Sequence, residues 1–486
     1  MTANTWRVLL ASPLVLAACS AAVPDMYTSP QAGFQEVASQ TSAAIGKRTA
    51  FAQTQAQNEA LAKEVRSLVH GKTISADTAV QAALLNNKGL QASYAAVGLS
   101  AAEAWQQMTP ENPVVSIGLM GLGAPELGLY RALESTIAVN LLDVKTRKQR
   151  IGVAETQFQQ AQLAAVNDTL ALAAQTRQAW INAVAAFERL SYLRQAGETS
   201  AAGAELASQL GRTGALNKAG QAREFAFNAE LAGQVARARL DAQLAKEELT
   251  RLMGLWGSDA DYYVPDALPA LPRSLSKVPA IEKAALQNRV DLQVAKLGLE
   301  AQARAFGLTD KTRLVTDLEL IAGVESERER EDGETHTETL PQLELEFAIP
   351  VFDTGKARMR KAELAYMQAA NTLAERAVNV RSEARSAELA YYSSYEIARH
   401  YRDVLVPLRE SIEEEGLLSY NGMITNTFEL LTDVREKLSS SLEAANAKRD
   451  FWLAQANVTA AIYGGGAGSA PQGGGAEIAA GGGAGH

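Results

Sequence analysis

The sequence is poor in the residues that do chemistry. It has one cysteine and four histidines in 486 residues. A single cysteine excludes an intrachain disulfide framework and a cysteine-based zinc site. His70, His336, His400 and His486 are scattered, and no nucleophile–His–acid set, metal-ligand cluster or phosphate loop accompanies them. Neither an enzyme nor a cofactor or metal protein is therefore expected. Basic residues are short of acidic ones, 46 against 55, and the net charge of −9 argues against nucleic acid as a partner. Aromatics are only 6% of a chain that is 47% hydrophobic, the balance leaning on alanine. Alanine dispersed among Glu, Gln, Lys and Arg predicts long, closely packed helices rather than an ordinary enzyme core. Length alone suggests about three domains, or fewer if the elements are long.

Long apolar runs are also scarce. The first is Val8–Ala18, behind the single positive charge of Arg7. It is too short to span a bilayer and has the size of a secretory signal core. It ends in Leu16-Ala17-Ala18-Cys19, which resembles the bacterial lipoprotein signal. That resemblance implies cleavage after residue 18 and acylation of Cys19; two or three acyl chains anchor durably where one is marginal. Ser20, in place of Asp, resembles outer-membrane sorting.

The chain is written twice. Ala82-Ala83-Leu84-Leu85-Asn86 with Leu90-Gln91 recurs as Ala284-Ala285-Leu286-Gln287-Asn288 with Leu292-Gln293, an offset of 202. Leu133-Glu134, Ala138-Val139 and Asp143 recur as Leu343-Glu344, Ala348-Ile349 and Asp353 at 210, and Gly214 recurs as Gly422 at 208. Each copy predicts a helix of about thirty residues (Ser75–Gln106, Pro279–Phe306), a strand pair, then two very long helices. The long pairs are Val144–Ala201 with Glu205–Met253, and Lys356–Glu415 with Thr425–Tyr463, interrupted only at Pro407. Such lengths suggest coiled-coil packing. The division is 1–18 signal, 19–72 lipidated N-terminal segment with a helix, 73–275 first repeat, 276–463 second repeat and 464–486 Gly/Ala-rich tail. The tail composition predicts disorder.

The strands, at about 113–122, 132–142, 314–324 and 341–352, alternate apolar and polar. Leu343, Leu345, Phe347 and Ile349 alternate with Glu344, Glu346 and Ala348; Leu133, Ser135, Ile137, Val139 and Leu141 alternate with Glu134, Thr136, Ala138 and Asn140. Period two over nine or ten residues fits a transmembrane β-strand, and also a half-buried strand of a soluble sheet. Four strands cannot close a barrel with satisfied edges, so several copies must contribute, and three would give about twelve strands. The connection Gly121–Tyr130 is short; Glu325–Thr339 is predicted as a long charged loop carrying a solvated His336. Glu134, Asp317, Glu319, Glu344 and Glu346 fall on the polar side and predict a cation-tolerant lumen.

These residues resemble the TolC-type outer-membrane efflux proteins over about 73 to 464. The family's "ALxxNPxL" opening is similar to Ala83–Leu90, with Lys88 at the usual proline, and to Ala285–Leu292. Its "PLFDGGR" strand exit is similar to Pro350-Val351-Phe352-Asp353-Thr354-Gly355-Lys356, degraded in the first copy as Asn140–Thr146. Its "YxxGxxSxxDVLDAxR" resembles Tyr420–Arg435. The resemblance implies a mainly α fold with a small membrane β part: a homotrimer forming a 12-stranded β-barrel and a periplasmic α-helical coiled-coil tunnel. It further implies a passive exit duct, working with a periplasmic adaptor and an inner-membrane pump and lipid-anchored in the outer membrane. The reversals carrying Gly211, Arg212, Thr213, Gly214 and Ala215, and Tyr420, Asn421, Gly422 and Met423, resemble the tips where an adaptor docks, with Gly214 and Gly422 easing each reversal. Asp433 is placed by the resemblance in an acidic constriction. The alternatives are a structural periplasmic coiled-coil lipoprotein without a channel and the duct of a type I protein secretion system.

Overall fold

The computed structural model describes residues 23–123, 130–277, 280–331, 334–422 and 427–465. The N-terminal helices are α1 (Asp25–Thr28), α2 (Phe34–Ile45) and α3 (Gln55–Val69). The first copy follows as α4 (Ala76–Asn86), α5 (Lys88–Met108), β1 (Val114–Met120), β2 (Ala132–Asn140), α6 (Leu141–Arg212) and α7 (Lys218–Leu252). The second is α8 (Ile281–Asn288), α9 (Val290–Lys311), β3 (Leu318–Glu331), β4 (Glu334–Phe347), α10 (Lys356–His400), α11 (Val406–Asn421) and α12 (Thr427–Tyr463).

The opening helix of each copy is broken in two, where the sequence pattern predicts one continuous helix. Asn87 (ψ 121°) separates α4 from α5, and Arg289 (ψ 119°) separates α8 from α9. The first break is held by side-chain amides. Asn87 Oδ1 accepts from Leu90 N (3.1 Å) as a cap, while its Nδ2 donates to Leu252 O (2.9 Å). Asn86 Nδ2 donates to Gly254 O (2.7 Å), so the break satisfies the last carbonyl of α7 and one in the turn just beyond it. The second break replaces amides by charge. Arg289, fully buried, donates to Asp291 Oδ2 (2.6 Å) and to Glu383 on α10.

Contacts divide the chain into two compact units, each taking pieces of both copies. One holds residues 1–35, 95–162 and 293–376; the other holds 36–94, 163–292 and 377–486. In the first, Tyr27 packs on Phe158 with ring centroids 5.2 Å apart. Gly33 (φ 75°) lies so close to Phe158 and Val97 that a Cβ would fall 2.7 and 2.8 Å from them, so only glycine fits. The second unit is helical. Leu190, Leu193 and Leu231 pack with Ala238 and Ala242, and Tyr391 and Tyr395 pack with Phe451 and Ala398. Alanine at these contacts lets helix backbones approach closely, which is what the alanine-rich composition provides.

The first long helix runs further than its sequence bounds, and its partner α7 starts correspondingly later, at Lys218 rather than Glu205. α6 continues without a break to Arg212, through the 202–204 stretch expected to interrupt it. Pro407 does not simply stop a helix: a π turn at Tyr401–Leu405 precedes it, and Pro407 sits in the first turn of α11. Proline has no N–H and clashes with the preceding turn, and the wider π turn makes room for it.

Candidate functional site

The four strands form one antiparallel sheet in the order β1-β2-β3-β4, so the second strand of the first copy pairs with the first strand of the second. β1 and β4 are its edges. The β3–β4 hairpin overturns the expected loop at 325–339: pairing continues through Arg328↔Thr337, Glu329↔His336 and Glu331↔Glu334. Charge hides the strand signal in ESERERE, but a ladder is made by the backbone, and the facing Thr335, Thr337 and Thr339 are β-branched. β4 also ends at Phe347 rather than reaching 352. The hairpin is braced on the first copy: Arg131 pairs with Glu327 (3.3 Å), and the Arg328 guanidinium lies 4.2 Å from the Tyr130 ring centroid, donating to its hydroxyl (2.9 Å).

Paired residues share a face of a sheet and successive residues alternate, so the register assigns every side chain to a side. One face carries the rows Val115–Ile137–Ala322–Leu343, Ile117–Ser135–Val324–Pro341 and Val139–Leu320–Leu345. It is apolar, and its side chains are uncovered: Leu343 is 74% exposed and Ile117 69%. The other face carries Ser116–Thr136–Gly323–Gln342, Gly118–Glu134–Glu325–Leu340, Val114–Ala138–Ile321–Glu344 and Asn140–Glu319–Glu346, so glutamates stand there among a few apolar side chains. Glu134, Glu319, Glu344 and Glu346 thus lie on one side, and Asp317 is exposed just before β3. Sequence reasoning missed Glu325, Glu327 and Glu338, which the hairpin brings to the same face. Glu134↔Glu325, Glu319↔Glu346 and Glu327↔Glu338 stand directly opposite each other. Like charges so placed each cost roughly 0.2–1 kcal/mol relative to a neutral pair.

At the strand exit of the second copy, Phe352 is fully exposed and Asp353 Oδ1 accepts from Gly355 N (2.8 Å). Arg358 pairs with Asp353 (3.4 Å) and donates to Arg313 O (3.1 Å). The first copy repeats the device with Asn140 Oδ1 accepting from Asp143 N (2.9 Å) and with Arg150 paired to a buried Asp143.

The first tip is a tight turn between α6 and α7. Gly211 and Arg212 end α6; Thr213 Oγ1 donates to Leu210 O (3.0 Å); Gly214 takes φ 77°; Ala215 is exposed; and Asn217 caps α7 by accepting from Gly220 N (2.7 Å). At the second tip Tyr420 and Asn421 are still helical, in the last turn of α11. Gly422 caps that helix at φ −78°, so it does not use the left-handed region that Gly214 needs, contrary to the expectation from the repeat. Asp433 is half-buried on α12, facing α11: a Cβ on Gly416 would be 2.9 Å from its Oδ2. Glu413 is paired with Lys437 across the same two helices. Cys19 and Met423 lie outside the described residues, as does the tail from residue 466. Among the described residues no group of three or more His, Cys, Asp or Glu is placed to hold a metal ion, and no helix is long and apolar enough to cross a membrane.

No family model and no curated protein matches the chain. Solved structures do. A membrane protein from Pseudomonas aeruginosa is similar at TM-score 0.67 and 18% identity, over 80% of this chain and 92% of that one. The outer-membrane channel OprN is similar at 0.66 and 16%, over 92% and 97%. The CmeC outer membrane channel of Campylobacter jejuni is similar at 0.62 and 17%, over 80% and 86%. At such identities the likeness speaks for the fold, which extends over nearly the whole of each relative. Two copies of helix, strand pair and long helix pair, with their four strands in one sheet, give this chain the fold of TolC-type outer-membrane channels.

Proposed function

We propose that the chain is an outer-membrane exit duct: a lipid-anchored homotrimer whose sheets join into a barrel of about twelve strands and whose long helices form a periplasmic tunnel. The observation that carries this is the two-faced sheet. One face is apolar and bare and suits lipid, the opposite face gathers the glutamates among a few apolar side chains and suits water, and both edges await a neighbour. A soluble coiled-coil lipoprotein would have no use for exposed Leu343, Leu345 and Ile117. Substrate passes without reaction, delivered by an inner-membrane pump through a periplasmic adaptor that docks on the tips at Gly211–Ala215 and Tyr420–Met423. Acylated Cys19 adds the anchor.

The opposed glutamates make the lumen cation-tolerant, because a passing cation relieves repulsion that the folded sheet otherwise carries. Reconstitution in planar bilayers tests this: the wild-type trimer conducts with cation preference, and E319Q/E346Q reduces that preference. An anion-preferring wild-type channel refutes the lumen assignment. A monomer recovered from the periplasm, without an outer-membrane oligomer of heat-modifiable mobility, refutes the duct.

A further inference from the structure

The helical unit contains a cleft of about 620 Å³ that neither strands nor tips use. Its walls include Trp180 and Trp452, together with small side chains such as Ala173 and Ala456. Both indole N–H groups are committed to main-chain carbonyls, Trp180 to Ile74 O (2.9 Å) and Trp452 to Pro269 O (3.0 Å), which fixes the ring orientations. Among the described residues the charged ones lining the cleft are Lys47, Asp77 and Arg177. Asp77 Oδ1 receives both Arg177 (2.6 Å) and Lys47 (3.3 Å), so two cations share one carboxylate and the cleft keeps an excess positive charge.

The lip of the cleft is Tyr463 and Gly464, where the chain leaves α12. There Asn167 Oδ1 is buried with no hydrogen-bond partner, and a Cβ on Gly464 would stand 3.3 Å from it. The first copy shows what such an exit does. Beyond Gly254 (φ 66°), gripped by Asn86, the chain packs back onto the helices: Leu268 N donates to Glu188 Oε2 (3.0 Å), and Tyr395 donates to Pro272 O (3.0 Å). In the second copy Gly464 and Gly465 also take positive φ, and the sequence continues to His486. That continuation is Gly- and Ala-rich except for a short island, Ala476-Glu477-Ile478-Ala479-Ala480, holding its only acidic side chain and its only large aliphatic one.

We propose that this cleft is the docking site of the chain's own segment 476–480, with the Glu477 carboxylate on Lys47 and Arg177 and Ile478 between the two tryptophans. A small-residue segment fits walls of alanine, and the charges are complementary. Reach is sufficient: the twelve residues from Gly465 to Glu477 span about 17–21 Å as a flexible coil and roughly 40 Å at full stretch, starting from the lip itself. Tethering at such range gives an effective concentration on the order of millimolar, so weak contacts suffice.

The test uses the full chain in detergent. Zero-length carbodiimide coupling joins Lys47 to Glu477, the linked peptide is absent from E477Q, and in a mixture of 15N-labelled and unlabelled protein it carries a single isotope. Truncation after Gly465, and separately E477Q/I478A, raises hydrogen exchange severalfold in residues 452–463. A mixed-isotope link, which would make the occupant another copy's tail, overturns the proposal. So does the absence of a link with exchange unchanged. Conductance is not read in either arm, so the outcome stands apart from that of the duct.

Discussion

The assignment of the two sheet faces can be tested with one pair of adjacent residues. Leu343 lies in the apolar row Val115–Ile137–Ala322–Leu343, and Glu344 is its neighbour on β4, pointing to the other side. Both are exposed in the single chain, so neither substitution disturbs a packed core. If the apolar face meets hydrocarbon, Leu343→Arg places a cation near mid-strand in lipid, at about 2–4 kcal/mol per subunit. In the proposed trimer three subunits carry the change together, so the assembled barrel is disfavoured by about 6–12 kcal/mol, several orders of magnitude in an equilibrium constant. Glu344→Arg puts the same side chain into water beside glutamates and costs little. The assay is the yield of heat-modifiable oligomer in outer-membrane fractions: L343R loses most of it, while E344R assembles and shows reduced cation preference in bilayers. Equal assembly of the two variants, or selective loss of E344R, refutes the face assignment.

Other outcomes follow from the helical unit and the tips. Removing the fully buried Arg289, as in R289M, takes the cation away from the Asp291 and Glu383 carboxylates and lowers stability by about 3–5 kcal/mol, whereas N87A loses about 1–2 kcal/mol; thermal melts of the two variants rank them. Burial works against the charge on Arg289, but Asp291 and Glu383 outweigh it and raise its pKa, so this clamp persists through neutral pH. Burial raises the pKa of Asp168, with the Ser93 hydroxyl opposing, so ionisation destabilises the folded chain above the folded pKa and not below the unfolded value near 3.8. D168N therefore raises the melting temperature at pH 7, and the gain disappears as pH falls to about 4. Gly214→Ala places a side chain at φ 77° and costs about 1–2 kcal/mol in the melt, while Gly422→Ala at φ −78° is close to neutral.

The strands are legible because alternation of Leu343, Leu345 and Phe347 with glutamate is a direct image of the pleat. The distal half of the β3–β4 hairpin is not, since charges on both faces erase the period while the backbone ladder continues. The breaks at Asn87 and Arg289 are hidden for another reason: both residues are tolerable in a helix, and besides the local bonds to Leu90 and Asp291 each is held by a partner more than ninety positions away, Leu252 O for Asn87 and Glu383 for Arg289. Asp433 sits at the expected place in its motif, yet only the contact with Gly416 reveals that it faces α11. Gly214 and Gly422 align in the repeat but differ in backbone conformation, a difference that side-chain identity cannot carry.

The edges of the sheet have a consequence for how the protein is made. β1 and β4 each present a row of unpaired N–H and C=O groups beside bare Leu343 and Ile117. Until those rows are capped, any extended chain nearby can pair with them, and two immature copies can join in the wrong register. A newly made subunit is therefore a hazard until it assembles. In the proposed duct its lifetime sets a need either for an escort that covers the edges or for rapid capture by the membrane, and the proposed acylation of Cys19 would serve the second by keeping each copy at the surface where its neighbours arrive.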